Sequence, residues 1–153
     1  MTEYDPVFMS EALKQAAFAF EKDEVPVGAV IVCKNKILAR AYNQVETLND
    51  PTAHAEMIAV TMACEAVKSK WLYDCSLYVN IEPCSMCAGA LVLARIKRVV
   101  FGAPDPKTGA FGSKLDINTL GLNHKIQVER GVLAEECSEI ISEFFRRKRI
   151  NNN

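Results

Sequence analysis

Apolar residues recur at helical spacing through Met9, Leu13, Ala16, Ala17 and Phe20, which predicts a first helix over 6–22. Asp5-Pro6 reads as its N-cap followed by proline at the first helical position. Val25-Pro26-Val27-Gly28 breaks the period, and two β-rich runs follow at 27–32 and 37–42, joined around Lys34-Asn35-Lys36 in the manner of a hairpin. The polar stretch 43–52 closes on Asp50-Pro51-Thr52, a helix-start signal, and a second helix is expected over 54–67. Next come a short strand at 75–81, a third helix opened by Pro83 and running to about Arg95, and a strand at 97–102. Residues 103–122, with their prolines, glycines and polar side chains, predict a long loop holding one turn of helix. Loops of that length in a compact domain are more often functional than idle. A last strand at 126–129 and an amphipathic helix at 134–148, trailed by a frayed asparagine tail, complete the chain. The order α-β-β-α-β-α-β-β-α implies one sheet with helices on both faces.

Composition narrows the class without naming a function. The 153 residues fit one domain, 1–153, with no repeat or linker. The chain is 50% apolar and 24% charged, an ordinary soluble balance, and its formal charge of −1 offers nucleic acid no global attraction. Any such partner must meet a local patch. The start lacks a basic segment followed by an apolar one, so no secretory signal is expected. The longest apolar run, 88–94, is far short of a membrane span. Of six cysteines, Cys33, Cys64, Cys75 and Cys137 lie singly in apolar segments and read as small buried hydrophobes. A reduced cytoplasm is the expected setting, with a metal role for Cys84 and Cys87.

The chemistry concentrates in Thr52-Ala53-His54-Ala55-Glu56 and Pro83-Cys84-Ser85-Met86-Cys87. One imidazole and two thiols suit zinc, and three protein ligands leave a tetrahedral corner open, the catalytic arrangement. Cys84 and Cys87 sit three apart, so a helix presents both on one face, with its N-terminal dipole favouring thiolates. His54 and Glu56, two apart, would diverge in mid-helix. They reach one site only if His54 lies at the very start of its helix. Glu56 then has no need to bind metal and can shuttle a proton between water and a departing amine. A closed structural site would need a fourth ligand from His124 or a scattered cysteine, and a redox pair would need neither His54 nor Glu56.

The pattern resembles the bacterial tRNA adenosine deaminases within the cytidine deaminase superfamily, whose signature is His-x-Glu with Pro-Cys-x-x-Cys. The likeness extends to Glu24-Val25-Pro26-Val27-Gly28, Asn43, Asp50-Pro51-Thr52, Phe101-Gly102-Ala103, Asp105-Pro106-Lys107-Thr108-Gly109 and Phe144-Phe145-Arg146. Phe111 and Pro104 depart from it. The resemblance implies a three-layer α/β/α sandwich with a mixed sheet of about five strands, a homodimer, and one zinc per subunit. It also implies conversion of adenosine to inosine at the wobble position of a tRNA anticodon stem-loop. Carried over by position, His54, Cys84 and Cys87 bind metal, Glu56 moves the proton, and Asn43 with the Ala55 amide holds the purine. Val25 and Pro26 line the base pocket, Asp105 and Lys107 touch the anticodon loop, and Phe145 with Arg146 holds flanking nucleotides. Adjacent Phe144 and Phe145 cannot share one helix face, so one belongs to the core and the other is free to stack on a base. Two rivals remain at this stage. One is a deaminase of a free base or nucleoside, and the other is a non-catalytic, zinc-stabilised RNA-binding module.

Overall fold

The computed structural model describes residues 2–152. Its elements are α1 (Asp5–Glu21), β1 (Gly28–Cys33), β2 (Lys36–Tyr42), α2 (Val45–Leu48), α3 (Ala55–Val67), β3 (Cys75–Ile81), α4 (Ser85–Leu93), β4 (Arg98–Ala103), a 3-10 turn (Ile117–Thr119), β5 (Gln127–Arg130) and α5 (Ala134–Asn151). The strands form one mixed sheet in the order β2-β1-β3-β4-β5. β1 runs antiparallel to β2 and to β3, while β3, β4 and β5 are parallel.

Unbroken apolar strands are what a sheet covered on both faces requires. In β1, Ala29 and Ile31 join the core on the α3 and α4 side, whereas Val30 and Val32 face α1 and α5. Leu77, Val79, Val99 and Phe101 repeat the first set, and Tyr78 and Val100 repeat the second. Three layers result. Alanines 12, 16 and 19 let α1 lie close, and a methyl group on Gly28 would overlap the Ala12 carbonyl. The hairpin turn is two residues, Lys34 and Asn35, both left-handed with φ of 52° and 62°, as a tight hairpin demands.

Four boundaries differ from expectation. Asp5 is not the N-cap of α1; Tyr4 is, and Asp5 sits inside the first turn with its carboxylate engaged elsewhere. The 43–52 stretch contains the short helix α2, too brief to show an apolar period. Pro83 precedes α4 rather than opening it, because Cys84 occupies the N-cap in an extended conformation, φ −75° and ψ 175°. The last helix continues to Asn151, with Glu135 and Glu136 in its first turn and Lys148 and Arg149 in its last, the charge order its dipole favours. Asn152 caps it, and the remainder of the expected frayed tail, Asn153, lies outside the described residues. Among the described residues no helix is long and apolar enough to cross a membrane.

The strand directions decide where a site can form. β2, β3 and β4 all end on one edge of the sheet and β1 begins there. Their connections therefore meet at that edge, the usual ligand position in open α/β sheets.

Candidate active site

Two helix starts meet at this edge. His54 is the N-cap of α3, extended at φ −74° and ψ 149°, and Cys84 is the N-cap of α4, with Cys87 one turn inside. The geometry that lets His54 and Glu56 face one point is therefore the expected one, with His54 ahead of the first helical turn. His54 Nδ1 lies 3.6 Å from Cys84 Sγ and 3.5 Å from Cys87 Sγ, and the three ligand atoms fall within 4.8 Å of one another. Zinc–sulfur bonds of about 2.3 Å and a zinc–nitrogen bond of about 2.0 Å, set at a tetrahedral angle, separate neighbouring ligands by roughly 3.5 Å. The triangle fits that ion. Among the described residues no fourth histidine, cysteine or carboxylate joins the group. His124 stands apart, its Nε2 bonded to the Ile96 carbonyl at 2.6 Å.

The three ligand groups shift one another's protonation. A hydrogen bond from Cys87, aided by His54, brings the Cys84 thiol down to about 4 despite its burial. Cys87 moves the opposite way, held as a thiol by Cys84 and by burial, while Cys84 raises His54. Glu56 is only 4% exposed, and burial pushes its carboxyl up to about 7. A carboxyl poised near neutrality both takes and returns a proton.

Above the triangle opens a cleft of about 710 Å³, lined by Val25, Asn43, His54, Ala55, Glu56 and Cys84 among others. Asn43 is buried and donates from Nδ2 to the Val25 carbonyl at 3.2 Å; its Oδ1 is buried with no partner. Ala55, the first residue of α3, carries one of the amides that a helix start leaves without an internal partner.

Residues 5–149 match the MafB19-like deaminase family. The tRNA-specific adenosine deaminase of Aquifex aeolicus is 50% identical over 145 residues, covering 94% of this chain and 95% of its own. That of Bacillus subtilis is 48% identical over 146 residues, covering 95% and 91%. The chain belongs to the tRNA-specific adenosine deaminase family. A structure solved in a study of A-to-I editing by tRNA:A34 deaminases matches at a TM-score of 0.81 and 43% identity, covering 88% of this chain and 98% of that one. The three layers are accordingly the cytidine deaminase-like fold.

In this deaminase the remaining expected residues divide into those at the cleft and those beside it. Val25, Asp105, Lys107 and Phe145 line it. Pro26 does not: it is buried behind the wall, its carbonyl accepting from Asn80 Nδ2 at 2.8 Å, and Val27 lines the pocket instead. The Asp105 carboxylate is turned onto its own loop, accepting from the Lys107 and Thr108 amides and from the Thr108 hydroxyl. Phe144 is buried edge-on to Phe20 at 5.8 Å, and Phe145 is 43% exposed, the expected division of the pair. Arg146 stands off the cleft, and both it and Arg147 pair with Glu143.

Three buried polar residues hold the cleft together and lay outside the site residues that the sequence had suggested. Glu24 accepts from the Glu46 amide at 2.9 Å and from the amide and hydroxyl of Thr47 at 2.6 and 2.7 Å, fixing α2 as one lip. Burial raises its pKa, but Thr47 and the amides outweigh that and leave it below the usual value. Asn80 ties Gly28 to β3 through a 2.8 Å bond at its amide. Glu82, 2% exposed, collects donors from the opposite lip. In the sequence Glu24 stands out only as part of the likeness at 24–28, and Asn80 and Glu82 only as polar residues at the end of β3.

Proposed function

We propose that the chain deaminates adenosine to inosine at the wobble position of a tRNA anticodon. The observation that carries the chemistry is the His54, Cys84, Cys87 triangle with buried Glu56 beside it at the floor of an open cleft. The names of the relatives, tRNA-specific adenosine deaminases at 50% and 48% identity, support the substrate.

His54 and the two cysteines would hold one zinc per chain, and the ion, when bound, supplies an activated water as nucleophile for purine C6. The helix dipoles at the starts of α3 and α4 support the thiolates. Glu56 accepts one proton from the water and delivers it to N1, then takes the remaining hydroxyl proton and passes it to the amine, which leaves as ammonia as the C6 carbonyl forms. Asn43 keeps one Nδ2 hydrogen on Val25 and offers the second, with Oδ1, to the purine edge. The Ala55 amide assists from the helix start. Val25 packs against the base. Lys107 and Phe145 meet the anticodon loop at the rim, and the α5 basic end, including Arg146, holds flanking nucleotides. The loop's bases are already splayed, so little unstacking is required.

We read residues 1–153 as a single deaminase domain, cytoplasmic, and a homodimer. Supporting the dimer, Met62 and Val67 of α3 and Leu93 of α4 expose apolar side chains on the same helical layer, Leu93 at 75%. The test is incubation with an anticodon stem-loop and, separately, with free purines and pyrimidines. Inosine in the stem-loop with stoichiometric ammonia is the expected result. Turnover of the small molecules alone would favour a free-base deaminase, and no turnover at all would favour an RNA-binding module.

A further inference from the structure

We propose that Glu82 is a positioning residue for RNA binding, clamping the loop that carries Asp105 and Lys107 into the shape that faces the substrate. The inference rests on the tRNA reading for its substrate. Glu82 follows β3 directly, two residues before Cys84, with its side chain buried under the loop that follows β4. One carboxylate gathers the backbone amides of Asp105 at 3.1 Å, Phe111 at 2.9 Å and Ser113 at 3.2 Å, together with the Ser113 hydroxyl. These donors span nine residues of a segment with no strand or helix of its own up to Ser113. Such a segment has no ladder to satisfy its amides, and buried amides left alone are costly. An ionised carboxylate offers about four acceptor positions, matching the four donors.

The fit is close on the far side as well. A methyl group on Gly109 would overlap the Glu82 carboxylate, so the loop closes around it without space for any other residue. The same segment hangs on the turn before α4 through Ala110 N–H to the Pro83 carbonyl at 2.9 Å. Its outward surface is what the cleft presents: Asp105, Pro106, Lys107 and Thr108 line the rim. Glu82 thus organises the surface that meets RNA, whereas the chemistry below depends on residues of α3 and α4. Replacing the carboxylate by an amide sets an NH2 against amide donors and releases the loop.

The test uses the zinc-loaded full chain, an anticodon stem-loop substrate, and the variants Glu82→Gln and, more mildly, Ser113→Ala. The expected result for Glu82→Gln is a KM increase of at least about tenfold with kcat within about threefold, and for Ser113→Ala a KM increase of roughly two- to fivefold. Zinc stays near one per chain. Amide hydrogen exchange at Asp105, Phe111 and Ser113 accelerates in Glu82→Gln while α3 keeps its protection. Loss of zinc, a kcat fall as large as the KM rise, or unchanged exchange overturns the proposal. If the native chain leaves the stem-loop untouched, the tRNA reading fails, and the exchange data still decide whether Glu82 clamps the loop. If Glu82→Gln does not fold, Ser113→Ala decides by the same readouts.

Discussion

The two edges of the sheet each bury an acid, and the two acids are treated in opposite ways. At the edge away from the cleft, Asp5 is fully buried and saturated with donors. Arg98 reaches it with both terminal nitrogens at 2.9 and 2.6 Å, Tyr78 with its hydroxyl at 2.7 Å, and Thr2 with its amide and hydroxyl at 3.0 and 2.9 Å. Burial alone would raise its pKa, but Arg98 and its companions hold it far below the usual carboxylate range. At the cleft, Glu56 is nearly as hidden but has fewer donors, its own amide and the Cys87 thiol, and burial wins, pushing it up to about 7. A saturated carboxylate is a fastener: it ties the start of α1 to β3 and β4 and exchanges no protons near neutral pH. A sparsely bonded one is a proton carrier. Glu24 and Glu82 belong with Asp5, which is why they shape the cleft without taking part in its chemistry.

The comparison can be broken most severely at Glu56. Glu56→Gln is expected to lower kcat on a stem-loop by about a thousandfold while zinc stays near one per chain, as measured by inosine formation and metal analysis. At Asp5 the effect should appear in stability. Asp5→Asn leaves Arg98, its side chain 16% exposed, beside a neutral partner and should cost about 3 kcal/mol at pH 7, read from urea unfolding, with kcat unchanged where the chain is folded. The pH dependence has a definite sign. A depressed acid stabilises the fold above its unfolded pKa of about 3.9, and that stability is lost as pH falls through the native value. The native chain should therefore weaken below about pH 4, and Asp5→Asn should flatten that slope.

Smaller changes sharpen the picture around the proton carrier. Asn43→Ala removes the only buried side-chain polar atom found without a partner among the described residues, along with its bond to Val25. It should reduce kcat/KM about tenfold, roughly one charge-neutral hydrogen bond, with little effect on zinc. Arg146→Ala is expected to raise KM only two- to threefold at low salt and less at high salt, because the guanidinium already pairs with Glu143. Steady-state kinetics at two ionic strengths would measure it.

What the sequence made legible follows the same division. The floor of the cleft depends on local spacing: Cys84 and Cys87 one turn apart, His54 and Glu56 at a helix start announced by Asp50-Pro51-Thr52. β1, β3 and β4 were legible as short, mainly apolar runs between turn residues, and the alternation in Ala29-Val30-Ile31-Val32 serves both faces of the sheet, whereas β5, Gln127–Arg130, carries a single apolar residue. The fasteners were hidden because their partners are remote. By local sequence Asp5 reads as a helix cap, yet its guanidinium partner is 93 residues away. Glu82 finds its amides 23 to 31 residues later, and Glu24 finds its own 22 and 23 residues on. A carboxylate bound to backbone amides leaves no complementary side chain to notice. Pro26 misled for a related reason, since whether Pro26 or Val27 faces the pocket depends on how Asn80 pins the chain entering β1.

The central claim is a three-donor metal site with a free corner beside an acid that moves protons. Zinc absorption spectroscopy on protein that is actively forming inosine tests it most directly. The account predicts one zinc per chain, with two sulfur neighbours at about 2.3 Å and nitrogen or oxygen completing four-coordination at about 2.0 Å. Active protein without zinc, or a shell of four sulfurs, would contradict it.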